Sequence, residues 1–263
     1  MPDRPLVLAH RGASAEHAEH TLGAYLAALE AGVDGFECDV RLTADGHLVC
    51  VHDRTLKRTA STRGVVSTME LAELSELDFS SWKHPWAELD DERPDTVEEH
   101  GKVLTLRKLF EVAADFDRRI EIAVETKHPT RYGGLVERRV ADLLKDFGWD
   151  RAGGPVRVMS FSYTALQRME RLAPVQLVQL VEHIPYWQVL RRIVGPDWLL
   201  GPGVKLLHES RRLGESITAA GHDMHVWTVN TEDDLRVCQE LGVKAVISDN
   251  PAHLLGLLQQ QGL

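Results

Sequence analysis

The chain has 263 residues, of which 43% are hydrophobic and 27% are charged, proportions typical of a folded globular protein. This length suits one large α/β domain or two small ones. The formal net charge of −10 disfavours nonspecific binding to nucleic acid or anionic membranes, so any anion-binding site must carry its own local positive charge.

Cysteine usage and hydropathy indicate the cellular setting. The three cysteines, Cys38, Cys50 and Cys238, are odd in number and widely spaced, which favours reduced thiols over a disulfide framework. No apolar run approaches the ~20 residues of a membrane span. The first apolar run, residues 6–9, is too short for a signal-peptide core. We therefore expect a cytoplasmic protein without stable membrane insertion.

Short apolar runs alternate with amphipathic segments along the chain, which is the pattern of parallel βαβ units. About eight strands result, which predicts a (β/α)8 TIM barrel, an α/β fold, formed by one domain over residues 1–263. A doubly wound open sheet is the alternative, but no Gly-x-Gly-x-x-Gly segment opens a helix to support it. The predicted strands cover residues 6–9, 33–42, 47–51, 120–127, 156–160, 175–181, 198–200, 224–229 and 245–248. The predicted helices cover residues 21–31, 67–77, 106–116, 135–147, 164–172, 187–193, 209–220 and 232–241, and a last helix starts at Pro251.

Residues 54–101 depart from this alternation. They are too long and uneven for an ordinary loop between a strand and a helix, which predicts a small insertion over one barrel end, after the second strand unit. Trp82 and Trp86 lie within this segment. They either line a substrate entrance or pack beneath the insertion.

Glu37 and Asp39 are separated by one residue in a predicted apolar strand, so both side chains project from one face. Buried carboxylates so close repel each other unless a cation or a shared proton lies between them. A lone Glu-x-Asp would more readily be a solvated strand face. Here Glu125 ends another predicted strand, and the carboxyl ends of barrel strands meet at one rim. Three carboxylates without Cys or His suit Mg²⁺ or Ca²⁺ better than zinc.

His10 and His52 flank the acidic residues along the chain. Two imidazoles can serve as general acid and general base in one reaction, although the sequence does not say which does which. Arg11 and Lys127 supply positive charge, and arginine can grip a phosphate with two hydrogen bonds. A metal, a cationic clamp and an acid–base pair are together the parts needed to cleave a phosphate ester.

The remaining histidines form no such constellation. His222 and His225 have a spacing that could suit zinc, but they lie in a predicted loop leading into a strand, and we expect them on the surface. His17 and His20 are expected to be structural or exposed.

Six segments resemble the glycerophosphodiester phosphodiesterase family, and they follow the family order over nearly the entire chain. These segments are HRGAS at 10–14, GFECDV at 35–40, HDRTLKRT at 52–59, VETK at 124–127, VWTVN at 226–230 and VISDNP at 246–251. The resemblance implies a TIM barrel that hydrolyses glycerophosphodiesters to sn-glycerol 3-phosphate and an alcohol, with one divalent metal ion as cofactor. It implies that Glu37, Asp39 and Glu125 bind the metal, His10 and His52 are the acid–base pair, Arg11 and Lys127 hold the phosphate, and Trp227 lines the pocket.

The chain departs from the family in one loop. Where the family usually has Pro-Glu-Asn-Thr, this chain has Ala18-Glu19-His20-Thr21. His20 either takes over the contacts of the usual Asn or alters the substrate preference.

Two other functions fit part of the pattern. A barrel of the sphingomyelinase D type, which cleaves a phosphodiester by intramolecular attack, shares the two histidines and Glu-x-Asp, but Glu125-x-Lys127 and residues 227–230 favour the first family. A non-catalytic phosphodiester-binding homologue would not need both His10 and His52. We expect a small-molecule substrate, no nucleic-acid partner, and a monomer or homodimer.

Overall fold

Eight parallel strands form a nearly closed barrel in the computed structural model, which describes residues 4–84 and 98–263. Along the sheet the strands are ordered β7-β6-β5-β4-β2-β1-β9-β8. The two ends of this order approach each other through parallel bridges from Leu200 to Met224 and from Gly203 to Trp227. The sheet therefore curls into a ring, which confirms the TIM barrel over the open sheet. The strands are β1 (Leu6–His10), β2 (Gly35–Leu42), β3 (Leu48–Cys50), β4 (Glu121–Thr126), β5 (Val156–Ser160), β6 (Gln176–Val181), β7 (Leu199–Pro202), β8 (His225–Val226) and β9 (Ala245–Ser248).

Helices surround the barrel and bury their apolar faces against it. The predicted helix at 209–220 is wrong at its start, because Ser210 is extended (φ −151°) and separates two shorter helices. The predicted helix at 67–77 is also shorter, since a single 3₁₀ turn at Val66–Thr68 precedes it. The helices are α1 (Leu22–Glu30), α2 (Leu71–Ser75), α3 (Leu106–Ala114), α4 (Leu135–Asp146), α5 (Tyr163–Leu172), α6 (Ile184–Leu190), α7 (Val204–Glu209), α8 (Arg211–Ala219), α9 (Glu232–Glu240) and α10 (Pro251–Gln260).

β3 lies outside the parallel ring, because it pairs antiparallel with β2. Behind it, the described part of the 54–101 segment packs on its own small apolar cluster, which includes Val51, Leu56 and Leu74. Lys83 then donates a hydrogen bond from Nζ to the carbonyl oxygen of Ser14 (2.8 Å). This contact places residues near 83 over the loop that follows β1. Trp86 lies outside the described residues.

The barrel interior changes character along its axis. Apolar side chains such as Leu8, Met159 and Ile247 fill the middle, whereas acidic side chains occupy the carboxyl ends of β2 and β4. Cys38, Cys50 and Cys238 are all buried and free. Among the helices of residues 4–84 and 98–263, none combines the length and the apolar character needed to cross a membrane.

A close backbone approach at the amino end of β2 requires a glycine at position 35. A Cβ atom there would overlap the carbonyl oxygen of Glu121 on the paired strand β4. Gly35→Ala should therefore lower the free energy of unfolding by about 1–3 kcal/mol, the usual cost of overpacking a core.

Urea unfolding measures this effect, with Gly256→Ala as the matched control. Gly256 lies within α10 and has no atom within 4 Å of its Cβ position, so this variant should gain about 0.5–1 kcal/mol of helix propensity. Equal unfolding midpoints for the two variants would contradict the close approach.

Candidate active site

Three carboxylates meet at the carboxyl ends of two neighbouring strands. Glu37 and Asp39 come from β2 and Glu125 from β4, and the strand register pairs Asp39 with Glu125. One oxygen of each lies within 4.8 Å of the others, and all three residues are buried. The alternation of side chains along a strand produces this arrangement, because Glu37 and Asp39 share a face.

Because the three acids lie close together, their pKa values shift in different directions. Burial and the Asp39 charge raise the pKa of Glu37 well above its ordinary value and that of Glu125 to about 8. Burial also opposes ionisation of Asp39, but the hydrogen bond with His20 and the charges of Lys127 and Arg11 outweigh it and hold the pKa of Asp39 well below its ordinary value. The protons that Glu37 and Glu125 retain mark a place where a divalent cation would relieve the repulsion. The all-oxygen donor set suits a hard ion, so the residues fit the expected metal.

Two basic side chains are held among the acids. Lys127 Nζ lies 2.8 Å from Asp39 Oδ1 and donates to Glu125 Oε1 at 2.8 Å. Burial disfavours the ammonium form, but the neighbouring carboxylates outweigh it and raise the pKa of Lys127. Arg11 Nε lies 3.0 Å from Asp39 Oδ2. Both positive charges therefore border the carboxylate cluster, where an anionic substrate group would also lie.

His10, at the end of β1, is oriented by a carboxylate from β9's side of the rim. Its Nδ1 lies 2.6 Å from Oδ1 of Asp249, which follows β9 directly. Burial opposes ionisation of Asp249, but the contacts with His10, Asn230 and Ser14 outweigh it and lower the pKa of Asp249 to about 2. Because an ionised carboxylate only accepts, Nδ1 carries a proton and donates it. Nε2, 3.8 Å from Glu37 Oε2, is then the nitrogen left to exchange a proton.

His52 has the same arrangement on the other flank. Its Nδ1 lies 2.8 Å from Oδ1 of Asp53, whose pKa is lowered to about 2 because hydrogen bonds with Arg58 and His52 outweigh burial. Nδ1 therefore donates, and Nε2 stays free. Burial lowers the pKa of His52 itself, which favours the neutral imidazole at neutral pH. Its backbone is fixed as well, since Arg41 donates from Nε and Nη2 to the His52 carbonyl oxygen (2.9 and 2.7 Å).

A chain of ion pairs links the two flanks. Arg58 donates to both oxygens of Glu19 (2.7 Å each) and from Nε to Asp53 (2.7 Å). Glu19 also accepts a hydrogen bond from Arg11 Nη1 (3.1 Å). The loop that carries Arg11 and the segment that carries His52 are thus held in one rigid frame.

The departure from the family pattern lies inside the site. His20 is only 5% exposed, its Nε2 lies 2.9 Å from Asp39 Oδ2, and its Nδ1 lies 2.9 Å from the Tyr25 hydroxyl. Because Asp39 is ionised, Nε2 donates to it. Of the two expectations for His20, structural or exposed, the exposed one is therefore wrong, and this buried residue contacts an acid of the cluster. Its backbone is left-handed, with φ +60°.

Two tryptophans lie at the same end of the barrel. Trp82 borders a cavity of about 480 Å³ that also contains His10, Arg11, Glu19 and Asp249. Trp227 is half-buried, donates from Nε1 to the Gly201 carbonyl oxygen (2.8 Å) and meets Phe161 edge to face. These positions are compatible with a substrate pocket, and the pocket role of Trp227 stays a prediction.

Several partners of the site had no assigned role in the sequence. Asp249, which directly follows a strand, and Asp53, which adjoins His52, are two such residues. His222 and His225 are corrected as well, since they are 8% and 3% exposed and not on the surface. Both side chains are buried, and His222 Nδ1 lies 2.8 Å from the Trp198 carbonyl oxygen.

Comparison with known proteins agrees with this arrangement. Residues 10–253 match the model of the glycerophosphoryl diester phosphodiesterase family. The chain is 42% identical to a probable glycerophosphodiester phosphodiesterase 1 of Mycobacterium tuberculosis, over 98% of this chain and 94% of that protein. It is 32% identical to a glycerophosphodiester phosphodiesterase of Bacillus subtilis, over 95% and 85% of the two chains.

A solved structure shows the same fold. The similarity to a phosphodiesterase from Oleispira antarctica, determined in complex with the product sn-glycerol 3-phosphate, has a TM-score of 0.81 at 27% identity and covers 97% of both chains. The match of the family model across almost the whole barrel and the identity to the mycobacterial and bacillar proteins agree with each other. The chain therefore belongs to the glycerophosphoryl diester phosphodiesterase family.

Proposed function

We propose that this protein hydrolyses glycerophosphodiesters to sn-glycerol 3-phosphate and an alcohol, with His10 and His52 as the acid–base pair. The observation that carries this proposal is that the two histidines have matching partners. Each is held at Nδ1 by an ionised aspartate, which leaves Nε2 as the nitrogen that can exchange a proton. Cleavage of a diester needs one proton removed from the attacking oxygen and one delivered to the leaving alcohol, so it uses two such groups.

Glu37, Asp39 and Glu125 would hold the divalent cation, Mg²⁺ or Ca²⁺. When bound, such a cation neutralises charge on a phosphate oxygen and favours attack at phosphorus. Arg11 and Lys127 border the cluster and would bind the remaining phosphate charge. Trp227 would line the pocket for the organic part of the substrate.

The comparisons support the choice of substrate class. The proteins from M. tuberculosis and B. subtilis bear the name of this activity, and the O. antarctica phosphodiesterase binds sn-glycerol 3-phosphate as its product. The present chain has an acid–base pair and a cationic border in a barrel of the same fold, which is why we extend the activity to it.

The test is hydrolysis of glycerophosphocholine, glycerophosphoethanolamine and glycerophosphoglycerol, read out as sn-glycerol 3-phosphate, with added Mg²⁺ or Ca²⁺ and after chelation. Activity should require the metal. His10→Ala and His52→Ala should each lower kcat by about 10²–10⁴-fold, because each removes one proton transfer.

His253→Ala is the matched control, since His253 is exposed on α10 and, among the described residues, its side chain forms no hydrogen bond or ion pair with the site. A cyclic phosphate product on phosphorus NMR would indicate intramolecular attack instead of hydrolysis. Tight metal binding without any turnover would indicate a non-catalytic binder, and near-normal activity of both histidine variants would refute the acid–base pair.

Metal affinity should rise with pH. Glu125 holds a proton up to a pKa of about 8 in the metal-free site, and a cation must displace it. The dissociation constant should therefore fall as pH rises towards 8, by up to about tenfold per pH unit for each proton released. Isothermal titration calorimetry at pH 6, 7 and 8 measures it.

The same proton affects folding of the metal-free protein. The folded pKa of Glu125 lies above the ordinary value of 4.5, so its contribution to stability is complete below that value and is lost as pH rises through about 8. Glu125→Gln should reduce the pH dependence of both the metal dissociation constant and the free energy of unfolding. A metal dissociation constant that does not change from pH 6 to 8 would show that Glu125 does not retain a proton in the metal-free site.

His20 should act as a positioning residue for Asp39. Removing the hydrogen-bonding partner of a metal ligand costs about 10–100-fold in metal affinity, so His20→Ala should weaken binding by this factor. His20→Asn restores an N–H donor and should bind the metal nearly as well as the unchanged protein.

His222→Ala separates this effect from a general loss of packing. His222 is buried like His20, but it contacts the Trp198 carbonyl and not the carboxylate cluster. Its loss should leave the metal dissociation constant unchanged, and equal weakening in the His20→Ala and His222→Ala proteins would show that His20 acts only through stability.

A further inference from the structure

A second cavity opens beside the carboxylate cluster, and its charged lining is entirely basic. It has a volume of about 220 Å³ and is bordered by Arg41, Arg54, Lys127 and Arg131, with no acidic residue among the residues that line it. We call it the arginine pocket. In a chain with a net charge of −10, four cationic side chains around one small cavity form an exceptional local field.

The three arginines keep their charge available. Within residues 4–84 and 98–263, none of Arg41, Arg54 and Arg131 forms an ion pair. Arg41 donates only to the His52 carbonyl oxygen, and Arg131 stacks on the Tyr132 ring at 5.5 Å. By contrast, Lys127 is already shared by Asp39 and Glu125. The excess positive charge of the pocket therefore belongs to the arginines.

The position of the pocket connects it to the reaction site. Arg41 follows Asp39 by two residues on β2, and Lys127 follows Glu125 by two residues at the end of β4, so these basic residues continue the same inward faces. The cavity that contains His10 does not include them. Arg41, which lines the arginine pocket, donates to the His52 carbonyl oxygen, so this pocket lies near His52, whereas the larger cavity is lined by His10.

The pocket is built on fixed elements. Tyr132 forms part of its wall and donates from its hydroxyl to the Ser67 carbonyl oxygen (3.2 Å). The loop after β4 is anchored at its base, where Oε1 of the buried Glu137 lies 2.8 Å from His128 Nε2 and accepts from Arg168 Nη2 at 3.0 Å. Tyr132 and the anchored loop therefore fix the wall of the cavity, and the exposed side chains of Arg54 and Arg131 border it from the solvent side.

We propose that the arginine pocket binds a phosphate monoester carried by the leaving alcohol, so that the preferred substrates are glycerophosphodiesters with an anionic head group. This inference rests on the proposed function, because a leaving alcohol exists only if the chain cleaves the diester. A diester held at the carboxylate cluster extends to both sides of its phosphorus, and its glycerol half is neutral. The arginines therefore suit the variable half.

The size and charge of the pocket favour a small dianion. A volume of 220 Å³ is below the ~300 Å³ at which pockets for drug-sized ligands begin, so a compact group fits. A phosphate monoester carries close to two negative charges and several acceptor oxygens, which can engage more than one guanidinium at once. A head group with only an ammonium charge would be repelled.

Two substrates that differ only in this group test the proposal. They are glycerophosphoglycerol and the same diester with a phosphate on its leaving glycerol, assayed with the full chain and saturating Mg²⁺. The ratio of kcat/KM, phosphorylated over neutral, should be at least about tenfold for the unchanged protein and should decrease with ionic strength. The double variant Arg54→Ala/Arg131→Ala should bring the ratio close to one.

Two further variants make the test specific. The double variant Arg54→Lys/Arg131→Lys keeps the charge and should retain part of the preference. Arg212→Ala removes an exposed arginine from α8, outside the pocket, and should leave the ratio as in the unchanged protein. A ratio near one in the unchanged protein would overturn the proposal, as would a ratio that the Arg54→Ala/Arg131→Ala substitutions do not alter.

A binding measurement separates this inference from the proposed activity. Calorimetric titration of the phosphorylated diester into His10→Ala protein, with and without the Arg54→Ala/Arg131→Ala pair, needs no turnover. Weaker binding on loss of the arginines supports the pocket even if neither diester is hydrolysed, in which case the proposed function alone fails. Equal binding by the two proteins refutes the pocket whatever the activity.

Discussion

The repulsion among Glu37, Asp39 and Glu125 is the constraint on which the rest of the site depends. One strand face and one neighbouring strand bring the three acids within 4.8 Å of each other at a buried rim. The three acids differ in how this repulsion is relieved. Asp39 is surrounded by His20, Arg11 and Lys127, which lower its pKa, whereas the pKa values of Glu37 and Glu125 are raised and favour their protonated forms. The ionised member is thus fixed in advance, and the other two supply negative charge only when a cation arrives.

The ring of contacts around the acids explains why the barrel rim can be rigid without regular structure. His10 and His52 each contact an aspartate through Nδ1, and Arg58 links Asp53, the partner of His52, to Glu19. Charged groups held by two or more partners lose little freedom when a ligand binds. The ion pairs that hold these side chains in place therefore already exist in the free protein.

The fold could be predicted from the sequence because the period of its apolar runs depends on local geometry. The same holds for Glu37 and Asp39, whose shared face follows from strand alternation. The orienting roles of Asp249 and Asp53 could not be predicted, because these depend on which rim loops meet after the ring closes. The contact of His20 with Asp39 could not be predicted for a related reason: an isolated histidine in a loop carries no periodic signal, and only the folded loop brings it to Asp39. The helix α7 was not predicted because its six residues are too few to show a helical period.

The left-handed backbone at residue 20 limits which side chains evolution can place there. With φ at +60°, β-branched and bulky aliphatic residues are strained, whereas Asn, Asp and His are tolerated better than most. The contact with Asp39 adds a second requirement, because a carboxylate side chain would repel that acid whereas a hydrogen-bond donor stabilises it. Asparagine, the usual residue of the family, and histidine both meet the two requirements. Position 20 in Ala18-Glu19-His20-Thr21 therefore differs from the family by an exchange between two of the few residue types that suit this backbone and this contact.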